Sequence, residues 1–94
     1  MTNGNGAGFD RAEIERKVTE IWRDVLGARP GQDEATFFEL SGQSIAAVRI
    51  TARVEDELDI QVDVGELFED PDLPAFVAHV LAKAESDGQL RLSA

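Results

Sequence analysis

The chain has 94 residues, 43% apolar and 30% charged, which fits one folded domain with a modest core and excludes a disordered chain. Nineteen Asp and Glu against nine Lys and Arg give a net charge of −10, which repels nucleic-acid phosphates and suits docking onto basic protein surfaces. The absence of cysteine excludes disulfides and thiolate metal sites, and no segment reads as a secretory leader or a bilayer span, so a cytoplasmic protein without membrane contacts is expected.

Residues 1–9 are rich in Gly and Asn and are expected to form a flexible tail ahead of a domain over 10–86. Asp10, with Glu13 three residues on, makes a capping box for a first helix. Ile14, Val18, Ile21, Trp22 and Val25 form the apolar stripe of that helix, and Gly27 can end it. Trp22 therefore reads as core.

Residues 28–43 make a long connection containing Pro30, Gly31 and Gly42. Connections of this length are uncommon unless pinned or functional, and Phe37, Phe38 and Leu40 are the expected pins. The next helix, Ser44–Leu58, carries two apolar stripes. Ala47, Ile50, Val54 and Leu58 form one, and Ile45, Val48 and Ala52 the other. A single core needs one stripe, so the second is free for a partner or packs as ordinary core.

Residues 59–64 alternate in polarity, but a lone strand has nothing to pair with, so they are expected to be extended loop. A short helical turn over 65–69 follows. Asp72 can cap a last helix that tolerates Pro74 in its first turn, buries Phe76, Val77, Val80 and Leu81, and stops at Gly88. Residues 87–94 are expected to be loose. The fold class is thus all-α: three main helices and one short helix, with a long loop after the first.

Material for catalysis is scarce, with one histidine and no cysteine or tyrosine. Ser44 has three readings. It can be an ordinary N-cap, although Ala47 leaves the capping box incomplete. It can be a nucleophile, a reading that fails for want of partners, because His79, beside Val80 in the last helix, would be its one possible base. Or it can be a modification site, where an ester phosphate at a helix N-terminus meets free amides and the positive end of the helix dipole. Asp59, Gln61, Asp63 and Asp70 suggest a calcium loop only superficially, because Val64 occupies the position that needs glycine. The acidic run Glu55-Asp56-Glu57 reads as a solvated helix end or a docking patch.

The run Phe37-Phe38-Glu39-Leu40-Ser41-Gly42-Gln43-Ser44-Ile45 resembles the attachment motif of peptidyl carrier proteins, the thiolation domains of nonribosomal peptide synthetases. The resemblance continues through Ala47-Val48-Arg49-Ile50 and Leu67-Phe68-Glu69-Asp70-Pro71, and spans about residues 14–82. Two positions depart from the family pattern. Ser41 stands where the first glycine is usual, and Gln43 where His or Asp is usual. Arg49 and Arg53 give the second helix a mixed charge that looks more peptidyl than fatty-acyl.

This resemblance implies a four-helix bundle of acyl-carrier type and a 4′-phosphopantetheine arm, carried from coenzyme A to Ser44 by a phosphopantetheinyl transferase, with Gly42 and Gln43 beside it. It also implies an aminoacyl thioester on the arm, an adenylation enzyme that loads it, and condensation or tailoring enzymes that use it. Ile45, Val48, Arg49, Leu67 and Phe68 would border the partner surface. A non-catalytic, free-standing monomer is expected. The alternatives are an acyl carrier for polyketide or fatty-acyl groups and, in another class, a helical interaction module that carries nothing.

Overall fold

Among the described residues of the computed structural model, four helices follow one another: α1 (Arg11–Leu26), α2 (Ser44–Leu58), a 3₁₀ helix (Val64–Glu69) and α3 (Leu73–Ser86). The structure describes residues 9–40, 43–86 and 88. Ser41, Gly42 and the two expected tails, apart from Phe9 and Gly88, lie outside the described residues.

The capping box of α1 forms in both directions. Asp10 Oδ1 accepts the Glu13 amide at 2.8 Å, and Glu13 Oε1 accepts the Asp10 amide at 3.0 Å. Gly27 then takes a left-handed φ of 67°, where a Cβ is disfavoured, and its N–H returns to the Arg23 carbonyl. Asp72 Oδ1 caps α3 by accepting the Ala75 amide at 2.9 Å. Asp63 does the same for the 3₁₀ helix through Gly65, at 3.0 Å. That helix begins at Val64, one residue before the sequence reading placed it.

The core is the set of stripes the periodicity marks. Ile14, Val18, Ile21 and Trp22 of α1 are fully buried, as are Ala47, Ile50, Val54 and Leu58 of α2. Phe76, Val80 and Leu81 of α3 close the third side, and Ile60 adds to the core from the extended stretch after α2. Val25 and Val77 are only partly buried, at the edge of this cluster. Trp22 packs between Phe37 and Phe76, with ring centroids 6.3 and 5.6 Å away, a spacing at which tilted aromatic rings attract. The helix α1 packs on both α2 and α3, while the 3₁₀ helix packs on α2.

The long loop is held at several points. Arg23 Nη2 lies 2.9 Å from both carboxylate oxygens of Asp33, and the Asp33 carbonyl accepts the Leu73 amide at the start of α3. Thr36 bridges to Asp72, and the Phe37 amide donates to the Pro71 carbonyl at 2.8 Å. Residues 36–40 close into a turn through Leu40 N–H to the Thr36 carbonyl, and Thr36 and Glu39 cap each other across it. One expected pin is corrected here. Phe37 is fully buried and Leu40 partly so, but the Phe38 ring is 50% exposed, resting on Phe37 with centroids 5.6 Å apart rather than entering the core.

Candidate functional site

Ser44 is the first residue of α2, with Gln43 as the cap residue before it. The N-cap reading of Ser44 is therefore corrected: Gln43 has the extended backbone of a cap, φ −131° and ψ 171°, and Ser44 is already helical. The Ser44 side chain is exposed, and its hydroxyl makes no hydrogen bond with a described residue. Gln43 is exposed too and supplies no side-chain cap. Carboxylates cap α1, the 3₁₀ helix and α3, whereas the first turn of α2 has neither a cap side chain nor an acidic residue. Its free amides and positive dipole end thus lie in the same turn as the Ser44 hydroxyl, an environment suited to a phosphate ester.

The second stripe of α2 is not core. Ile45 is 59% exposed and Val48 52%, and Ala52 is exposed on the same face. Phe68 on the 3₁₀ helix, 44% exposed, and Phe38 are the other large apolar side chains left in water among the described residues. Leu67, expected at the partner surface, is fully buried. The 3₁₀ helix points it into the core against α2 and turns the next residue, Phe68, outward, so Leu67 cannot touch a partner of the folded protein. Gly42 lies outside the described residues, and nothing is placed there.

The two arginines of α2 differ. Arg53 donates to Glu57 at 2.8 Å and to Asp24 of α1 at 3.2 Å. The Glu57 bond and then the Asp24 bond hold its guanidinium charged above the ordinary arginine range. Glu57 in turn is held below the usual carboxylate range, first by Arg53 and also by Lys17, with burial opposing. Arg53 is thus occupied within the protein. Arg49 is exposed and has no ion pair with a described residue, so its charge is available to a visitor.

His79 gives Ser44 no base. Its Nδ1 lies 3.3 Å from Glu66 Oε1, and it lines surface grooves with Glu66, Glu55 and Lys83 rather than with Ser44. Two carboxylates of the superficial calcium pattern already accept backbone amides: Asp63 from Gly65 and Asp70 from Phe38. No helix among the described residues is long and apolar enough to cross a membrane.

Two features escaped the sequence reading. The exposure of Phe38 left no mark in the spacing, since adjacent apolar residues such as Ile21 and Trp22 are both buried. Nor did the grip of Asp70 on the Phe38 amide, 32 residues away.

Comparison with known proteins agrees with this geometry. Residues 16–80 match the family described as "Phosphopantetheine attachment site". Tyrocidine synthase 2 of Brevibacillus parabrevis is 35% identical over 74 residues, 79% of this chain and 2% of the synthase. Phosphinothricin tripeptide synthetase PhsC of Streptomyces viridochromogenes is 36% identical over 70 residues, 74% of this chain and 6% of the synthetase. The chain thus spans only a small fraction of these relatives. Among solved structures it resembles BlmI, a type-II acyl-carrier protein from Streptomyces verticillus involved in bleomycin biosynthesis. The TM-score is 0.65 and the identity 33%, over 77% of this chain and 87% of BlmI. The chain belongs to the phosphopantetheine attachment-site family and has the helical fold of an acyl carrier protein.

Proposed function

We propose that the protein is a peptidyl carrier in nonribosomal peptide or related natural-product biosynthesis, with Ser44 as its attachment residue. The observation that carries this reading is an exposed, unbonded Ser44 hydroxyl at the uncapped N-terminus of α2, within a family defined by phosphopantetheine attachment. Ser44 Oγ would hold 4′-phosphopantetheine through a phosphodiester. When bound, that group supplies a thiol on which an aminoacyl unit is carried as a thioester.

The chain's own contribution is to display, not to catalyse. Placing Ser44 at the first position of α2 fixes its hydroxyl on a rigid element, so a transferase meets it with little ordering cost. Free amides of the first turn favour the phosphate charge, and the lack of an acidic residue there avoids repelling it. With His79 engaged by Glu66 rather than by Ser44, deprotonation of the Ser44 hydroxyl falls to the transferase. Ile45, Val48 and Phe68 offer apolar contacts to that enzyme and to the adenylation, condensation or tailoring enzymes that follow, with Arg49 on the rim. The named relatives support aminoacyl over fatty-acyl cargo, since they are synthetases of tyrocidine and of phosphinothricin tripeptide.

The test is direct. Incubated with coenzyme A and a broad-specificity phosphopantetheinyl transferase, the protein should gain the mass of one phosphopantetheine, and Ser44→Ala should gain none. A gain that survives Ser44→Ala would refute the attachment residue. Loading by an adenylating enzyme, but not by a malonyl-type acyltransferase, would separate peptidyl from polyketide use.

A further inference from the structure

We propose that Asp70 is a positioning residue that holds Phe38 outward as a contact for the transferase acting on Ser44. This rests on the carrier reading above. Phe37 and Phe38 are consecutive, yet the first is fully buried and the second half in water. Their two amides are both claimed by the segment after the 3₁₀ helix. Phe37 N–H donates to the Pro71 carbonyl, and Phe38 N–H donates to Asp70 Oδ1, each at 2.8 Å. Together these bonds set the backbone so that one ring goes in and the other out.

Asp70 is itself unusual. It takes a left-handed φ of 62°, a conformation that few residues other than Gly, Asn and Asp adopt readily. Gly or Asn would end the 3₁₀ helix equally well, and Gly would do so without an acceptor for Phe38. Asp70 therefore does two things, and only one concerns the helix. It also joins the two exposed aromatics, since Phe68 lies two residues before it on the chain and Phe38 hangs on its carboxylate.

The occupant follows from reach. Ser44 is six residues along the chain from Phe38, about 20 Å at most if fully extended and less with the 36–40 turn closed. A partner covering about 800 Å² around Ser44 extends about 16 Å in each direction, a span comparable to that reach. An enzyme that must seat Ser44 Oγ in its active site thus has the exposed Phe38 ring within reach of its footprint.

The experiment measures kcat and KM for the carrier with a phosphopantetheinyl transferase at saturating coenzyme A. D70G keeps the backbone freedom and loses the acceptor, D70N keeps an acceptor oxygen, and F38A removes the ring. F38A should raise KM roughly fivefold, the size of a contributing interface contact, with kcat unchanged. D70G should raise KM in the same direction, D70N should restore it, and D70G/F38A should be no worse than F38A alone. A wild-type KM for D70G, or effects that multiply in the double variant, would overturn the proposal. So would a D70G protein that loses its helical circular dichroism, because Asp70 would then serve folding alone. If the wild-type protein gains no mass at all, the carrier reading fails first and this proposal with it.

Discussion

Glu57 of α2 accepts Arg53 Nε at 2.8 Å and Lys17 Nζ of α1 at 3.2 Å, so one carboxylate fastens α2 both to itself and to its neighbour. Arg53 extends the network to Asp24, again on α1. The effect on ionisation has a definite sign. The folded protein holds the Glu57 carboxyl below its ordinary value of 4.5, chiefly through Arg53. Its stabilisation is therefore complete above that value and is lost as pH falls through the depressed folded one.

Glu57→Gln should accordingly destabilise the protein at neutral pH, by about 0.5–1 kcal/mol, because both cations are partly solvated and the pairs are screened. Below pH 4.5 the gap between wild type and variant should close. Urea unfolding midpoints measured across that range check it. A gap independent of pH would mean that Glu57 acts by packing rather than by charge.

The box formed by Asp10 and Glu13 predicts a second effect on stability. Asp10→Ala removes the acceptor for the Glu13 amide and should cost about 1 kcal/mol. In a domain this small that corresponds to a fall in Tm of roughly 4–8 °C. Because the two residues satisfy each other's amides, Asp10→Ala with Glu13→Ala should cost less than the sum of the single changes. Phosphopantetheinylation should be untouched in all three proteins.

The two stripes of α2 predict opposite outcomes for one chemistry. Ile50→Ala empties a fully buried site and should cost about 2–5 kcal/mol. Ile45→Ala, at a side chain 59% exposed, should stay within about 0.5 kcal/mol of wild type yet slow the transferase. Thermal unfolding beside an initial-rate assay separates the two, and equal destabilisation would show that Ile45 is packed in solution.

What could be read from sequence follows from the range of the forces involved. The cap at Asp10, the end at Gly27, the start at Asp72 and the buried stripes depend on neighbours within a turn or two, so spacing reveals them. The attachment run was legible as a resemblance, whereas the position of Ser44 one residue inside the helix was not, because Gln43 makes no side-chain bond that marks it as the cap. Thr36 to Glu39 is a capping pattern in its own right, closed within four residues. The remainder was hidden because it is long-range. Neither the Asp70 bond to Phe38 nor the Arg23 clasp on Asp33 has a periodic signature. Leu67 was misplaced for a related reason, since a 3₁₀ turn of six residues is too short for its pattern to say which neighbour faces the core.

The adjacent pair Leu67 and Phe68 turns that correction into a test. Leu67 is fully buried against α2, so Leu67→Ala should lower stability by about 2–5 kcal/mol and loosen the 3₁₀ helix, seen as faster amide exchange over 64–69. Phe68→Ala removes a ring that is 44% exposed, and should leave the unfolding midpoint nearly unchanged. Its effect should appear instead as a higher KM with the transferase or with an enzyme that uses the loaded thiol, because truncating an interface aromatic typically costs about 1 kcal/mol or more of binding. A Phe68→Ala protein with wild-type KM towards every partner would remove the 3₁₀ helix from the docking surface, leaving the α2 stripe to recruit partners by itself.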